Sequence, residues 1–370
     1  MSGIADHDLC TRLIVRGAAA SDVLVRTALS SAVTAAALPW ALSPAARTEH
    51  KRLAFYEGLP RDAAQVFEPP PTTVDVRSAH GAPWSFRAPG GAVQALRFTS
   101  PFVALNPHVR TSYGRFARNQ NAVAQYWRHD DGPRPTLCVI HGFGASPYFV
   151  NSAFFALPWL YSRGYDVLLY VLPFHGPRRA HLADANGFGL FAHGPSHFNE
   201  AMLQAVYDFR VFVGHLRACG VEQIGVTGLS LGGYVSALLA AIEDRLACAI
   251  PNAAVVSIPK LIGEWFPLDL ALALATALRG TGRAELERTF TLHCPLSYAP
   301  VLPPERLMII GGLGDRLAPP EQSELLWEHW GRPRLHWYPG NHILHVNRAE
   351  YLREMGRFMN QVGFSYRSEA

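Results

Sequence analysis

The 370-residue chain reads as an α/β domain with a mostly parallel central sheet of about eight strands flanked by helices. Three observations predict this. The short runs 136–140, 166–171, 247–251 and 306–311 are almost continuously apolar, as strands buried on both faces must be. Helix-length amphipathic segments alternate with them, which is the pattern of right-handed strand–helix–strand crossovers. A composition of 49% hydrophobic against 17% charged residues supplies a large core and excludes a disordered chain.

The weaker strands complete the sheet at 93–98, 121–127, 223–227 and 334–338. Between strands, residues 198–217 set Met202, Leu203, Val206, Phe209, Val213 and Leu216 close to helical spacing, and Gly220 ends the element. The last helix is expected over 348–361. Asn347 can cap it with Glu350 three residues on, and its apolar stripe is Tyr351, Leu352, Met355, Phe358 and Met359.

Two segments fall outside this rhythm. Residues 1–90 carry no chemical motif and read as an N-terminal helical extension, with helices around 18–38 and 47–57 and a connector at Pro69-Pro70-Pro71; the main domain is then 91–370. The stretch 27–46 is uncharged and long enough for a bilayer, but it is rich in Ala and Ser and holds Pro39 and Pro44. A packed or surface helix is expected there, and membrane contact is not. Residues 253–305 are too long for a simple crossover. Their apolar run from Leu268 to Leu278, broken only by Asp269, suggests a helical lid; the alternative is a long crossover with a buried helix.

Charge and cysteines exclude several classes. Net charge is +4, carried almost wholly by Arg because Lys51 and Lys260 are the only lysines, and no basic run suggests nucleic-acid binding. Cys10, Cys138, Cys219, Cys248 and Cys294 are odd in number and widely spaced, so neither a disulfide framework nor a zinc site is expected. Cys138 and Cys248 sit in apolar runs and read as core thiols, which favours a reducing, cytoplasmic setting. No cofactor or metal is expected: His193 and His197 are separated by Gly194-Pro195 and lack partners at ligand spacing.

The chemistry concentrates in four loops. Gly228-Leu229-Ser230-Leu231-Gly232 follows the strand Ile224–Thr227 and opens a helix at 234–242. A strand–turn–helix this tight needs glycines flanking the serine, thrusts the hydroxyl out, and puts a helix N-terminus beneath the reacting centre. Ser230 is therefore the candidate nucleophile. His141-Gly142-Phe143-Gly144 follows the strand ending at Ile140. An oxyanion needs two N–H donors, and Phe143 and Leu231 are placed to supply them. His141 reads as an orienting partner of that loop beside Gly142. Asp315 lies in a glycine-rich turn after the strand 306–311 and is the candidate acid. After the strand 334–338 comes Pro339-Gly340-Asn341-His342-Ile343-Leu344-His345. His342, the first histidine, is the candidate base, with His345 the alternative. Ser230, Asp315 and His342 each fall just past a separate strand, at the edge where open α/β sheets build their sites. His175, in Pro173-Phe174-His175-Gly176-Pro177-Arg178, faces the same edge as a pocket or bracing residue, or as a purely structural histidine.

With these motifs the chain resembles the α/β-hydrolase superfamily over about residues 92–362. It is similar to a poorly characterised group of that superfamily with a Pro-Phe-His-Gly-Pro-Arg-like loop, here Pro173 to Arg178, and a Tyr-Pro-Gly-Gly-His-like loop. It departs from the latter in having Asn341 where glycine is usual. The resemblance implies the α/β-hydrolase fold and ester or related acyl hydrolysis. The expected activity is cleavage of a small-molecule carboxylic ester, lipophilic if the apolar segment covers the cleft, through Ser230, His342 and Asp315. A thioesterase, amidase or acyltransferase would use the same residues. A non-catalytic binding or scaffold protein on this fold is the rival from another class.

Overall fold

The strands are β1 (Arg77–His80), β2 (Gly91–Thr99), β3 (Asn121–His129), β4 (Thr136–Ile140), β5 (Asp166–Tyr170), β6 (Ile224–Leu229), β7 (Cys248–Asn252), β8 (Met308–Gly312) and β9 (Arg334–Tyr338). The computed structural model describes residues 8–81, 88–144, 148–181, 184–279 and 282–366; parts of the N-terminal extension (1–7, 82–87) and of the 253–305 segment (280–281) lie outside them. The strands form one sheet in the order β1-β2-β3-β5-β4-β6-β7-β8-β9. Pairing is antiparallel from β1 through β3 to β5 and parallel from β5 through β4 to β9.

The sheet thus has nine strands rather than about eight. The addition, β1, lies within the expected extension and pairs with β2 at the edge. Its Arg-Ser-Ala-His sequence carries no apolar alternation, because an edge strand is held by its backbone ladder and needs little burial.

Pleat alternation divides the core into two layers. Cys138, Ile140, Leu168, Tyr170, Ile224 and Val226 pack on one face under the helices Pro195–Ala218 and Leu231–Ile242. Leu137, Val139, Val167, Leu169 and Ile250 pack on the other, under Leu157–Ser162 and Arg348–Gln361. Cys138 and Cys248 are fully buried, one in each layer.

A single helix, Leu9–Leu42, replaces the expected helix over 18–38; Asp8 caps it, and Pro39 falls in its last turn. At about 1.5 Å per residue it is long and apolar enough to cross a bilayer by length and composition alone. It buries only Val15, Ala18, Asp22, Ser30 and Val33, all on one face. That face lies on the body of the protein. Ser30 Oγ donates to Trp265 O at 3.1 Å and accepts from Leu268 N at 3.2 Å, joining this helix to the 253–305 segment.

One buried ion pair ties the chain after β5 to the helix Pro195–Ala218. Arg178, fully buried, reaches Asp208 at 2.5 Å and also donates to Asn119 O and Val171 O. Asp208 further accepts from Ser100. Arg178→Leu would leave the Asp208 carboxylate buried without its counter-charge. The expected cost is about 3–5 kcal/mol in urea unfolding at pH 7, with the m-value unchanged.

Candidate functional site

Ser230 sits where β6 turns into the helix Leu231–Ile242, with φ 57° and ψ −114°. Positive φ in a non-glycine residue is strained, and neighbouring structure has to enforce it. Here the Ser230 N–H donates to Asn252 O at 3.0 Å, at the end of β7, and its carbonyl accepts from Tyr234 N at 2.8 Å. The flanking glycines allow the approach this needs. A Cβ on Gly228 would lie 2.5 Å from the Gly232 carbonyl, and one on Gly232 would lie 2.1 Å from Ile140 O. The elbow is therefore wedged against the end of β4, and no side chain fits between.

Asp315 and His342 meet at the same edge. Fully buried Asp315 receives His342 Nδ1–H on Oδ2 at 2.7 Å, while its Oδ1 accepts the N–H groups of Leu317 (2.9 Å) and Ala318 (2.7 Å). With Nδ1 occupied, Nε2 is the nitrogen free to take a proton. Burial opposes the imidazolium, but the charge and hydrogen bond of Asp315, helped by the charge of Asp22, outweigh it and raise the His342 pKa above the ordinary value.

Ser230 and His342 both line a cavity of about 460 Å³, together with Gly142, Phe143 and Leu231. Leu231 opens its helix, so its N–H has no intrahelical acceptor. The Phe143 ring is fixed edge-on against His175, Phe188 and Phe191. Both proposed oxyanion donors thus belong to the wall that carries the serine.

The other three histidines expected at the site brace its loops. His141 Nδ1–H donates to Gly142 O at 2.8 Å and its Nε2 accepts from Leu172 N at 3.1 Å; burial pushes its pKa down to about 4. His175 Nδ1–H donates to Pro173 O and its Nε2 accepts from Gly144 N, with burial holding its pKa well below the usual value. Each ring ties the loop 141–144 to the chain after β5, and neither lines the cavity. His345 donates from Nε2 to His342 O at 3.2 Å and accepts from Tyr351 Oη, and burial pushes its pKa down to about 4. It supports the His342 backbone, while His342 is the one that reaches Asp315.

The rest of the wall is apolar. Phe188, Phe191 and Phe198 come from the stretch after His175, and Val255, Ile258, Leu261, Ile262, Trp265 and Leu268 from the 253–305 segment. That segment contains the helices Ile258–Ile262, Leu268–Arg279 and Arg283–Phe290. Of the apolar run from Leu268, Leu268 itself reaches the cavity, whereas Leu270 and Leu274 are half-exposed. The N-terminal helix adds Val25, Leu29 and Val33. Sequence reasoning missed these three and Asp22, because nothing local tells where a motif-free helix docks. The one available signal was a lone acid in a largely uncharged helix.

A model of a family described as alpha/beta hydrolase fold matches residues 135–275, from the start of β4 through the elbow to the helix after β7. Two uncharacterized proteins from two strains of Mycobacterium tuberculosis are each 35% identical over 234 residues, which is 61% of this chain and 54% of theirs. The match therefore spans about half the length of those relatives. Among solved structures, an acetyl xylan esterase from Paenibacillus sp. R4 superposes with TM-score 0.57 at 17% identity, covering 84% of this chain and 94% of that one. Acetyl xylan esterase 1 from a Thermoanaerobacterium species gives 0.55 at 17% identity over 78% and 88%. The Pyrococcus horikoshii acylaminoacyl peptidase gives 0.51 at 16% identity over 76% and 43%. At this level of identity the likeness establishes the fold.

The elbow geometry leads to a stability prediction. Gly232→Ala should cost at least about 1–3 kcal/mol, read as a lowered Tm, because the new Cβ collides with backbone that cannot rotate away. A wild-type Tm would mean that the elbow is not wedged on β4.

Proposed function

We propose that this chain, an α/β-hydrolase superfamily member by its fold, is a serine hydrolase that cleaves carboxylic esters with a lipophilic acyl or alcohol group. One observation carries the reading. A strained serine and a carboxylate-bound histidine open onto one apolar cavity.

In this mechanism Ser230 Oγ attacks the ester carbonyl and its proton passes to His342 Nε2. Asp315 holds the ring by Nδ1 and stabilises the imidazolium. The carbonyl oxygen, now negative, is received by the Phe143 N–H from the loop after β4 and the Leu231 N–H at the N-terminus of the elbow helix. His342 returns the proton to the leaving alkoxide and then activates water to release the acyl group. Leu29, Phe191, Trp265 and Leu268 supply apolar contacts along the substrate and keep the reacting centre dry, which strengthens the oxyanion interactions.

The following outcomes are expected. Ser230→Ala should abolish both fluorophosphonate labelling and p-nitrophenyl ester cleavage while the protein stays folded; persistent labelling would point to another nucleophile. His342→Ala should lower kcat by several orders of magnitude and His345→Ala by far less. The base must be neutral to work, and the His342 pKa is raised. Accordingly kcat/KM should fall as pH drops through a limb lying above the ordinary histidine value, and Asp315→Asn should move that limb to lower pH. For specificity, kcat/KM should rise with acyl length by up to about fourfold per methylene until the pocket fills. Leu268→Trp should shorten the optimum; an unchanged length profile would remove the pocket from the substrate path.

A further inference from the structure

Asp22 is a fully buried acid on the N-terminal helix, far in sequence from every motif of the site. Its Oδ2 accepts the N–H of Arg316 at 2.9 Å and the N–H of His342 at 3.1 Å. One oxygen therefore joins the residue after the proposed acid to the proposed base. Next to it, Asn341 Nδ2 donates to Ala18 O and Ser21 Oγ, each at 2.8 Å, and Asn341 Oδ1 accepts from the N–H groups of Ile343 and Leu344. The Asn341 side chain thus ties the N-terminal helix to the base loop. The acid and base loops also meet through Leu313 N donating to Tyr338 O at 3.0 Å, Gly314 N donating to Gly340 O at 2.7 Å and the Asp315–His342 bond itself.

Retaining a carboxylate here is costly. Asp22 Oδ1 is buried without a hydrogen-bond partner among the described residues. Burial pushes its pKa up, opposed by the two backbone N–H donors. An amide or hydroxyl could accept the same hydrogen bonds, whereas a carboxylate adds negative charge beside the proposed base. We propose that Asp22 is a positioning residue of the site, which holds the Asp315 and His342 loops in one arrangement and adds a second negative charge behind the imidazolium. The groups that bear on His342 are Asp315 from the loop after β8, Asp22 from the N-terminal helix and His345 from its own loop; Tyr338, at the end of β9, donates to the neighbouring Asn341 O. Arg316 also lies on the acid loop, with a permanent positive charge. His345 and Tyr338 stay neutral across the working range, since burial lowers the first pKa to about 4 and raises the second well above the usual value. The negative charges that act on His342 are therefore Asp315 and Asp22.

The inference rests on the serine-hydrolase reading, and its test separates the two. Asp22→Asn keeps an acceptor oxygen and removes the charge; Asp22→Ala removes both. The full chain is titrated by NMR, with the His342 ring signal assigned by its loss in His342→Gln. Asp22 favours the imidazolium, so its neutralisation should lower the His342 pKa, whether or not any ester is cleaved. In kinetics, Asp22→Asn should move the acid limb of kcat/KM to lower pH and cut kcat about three- to tenfold. Asp22→Ala should cut kcat about ten- to a hundredfold with KM little changed, because two buried N–H groups lose their acceptor. An unmoved His342 pKa in Asp22→Asn would overturn the proposal, even if stability fell. If that variant does not fold, Asp22→Glu decides: a wild-type limb with reduced kcat supports the role, and wild-type kcat overturns it. A wild-type protein that neither cleaves esters nor reacts with fluorophosphonate would sink the hydrolase reading and leave the titration result standing.

Discussion

The backbone at Ser230 is held in a conformation that an isolated chain would leave. Its φ of 57° persists because the Ser230 N–H is committed to β7 and its carbonyl to the helix, while Gly232 presses on the Ile140 carbonyl with no room for a Cβ. Three consecutive parallel strands, β4, β6 and β7, thus meet at one residue. The loops of the site are referenced to that point. The chain after β4 carries Phe143, the helix after β6 carries Leu231, and the chain after β7 leads into the segment that walls the pocket. A strain of order 1–3 kcal/mol at the serine is sustained by the burial of the whole sheet around it.

Around this fixed point the electrostatics are graded by burial. His141, His175 and His345 are kept neutral by desolvation and each makes two hydrogen bonds that shape a loop. His342 is as buried, yet of these four it is the one with a carboxylate on Nδ1, so its proton affinity rises. A similar chemical group thus shifts in opposite directions according to whether its partner is neutral or a charged acid.

Much of the fold and of the candidate site was legible because it depends on local sequence. Eight strands announced themselves by apolar runs, while β1 did not, since an edge ladder demands no apolar side chain. Ser230 was readable from two glycines around a serine between a strand and a helix, and Asp315 and His342 from their positions one loop beyond β8 and β9. The N-terminal helix, expected over 18–38, runs further at both ends, from its Asp8 cap at Leu9 to Leu42, with Pro39 inside it.

Local backbone chemistry therefore determined the elbow, the succession of strands along the chain and the loops of the candidate site. Glycine spacing and short apolar runs act over a few residues and leave their mark wherever they occur. Only the tertiary structure decided that the motif-free N-terminal helix closes the site. Val25, Leu29 and Val33 complete the pocket, Asp22 joins the acid and base loops, and Asn341 reaches back to Ala18. Where such a helix docks follows from shape and from hydrogen bonds to loops some three hundred residues away, and that information resides in the packed chain rather than in any window of its sequence.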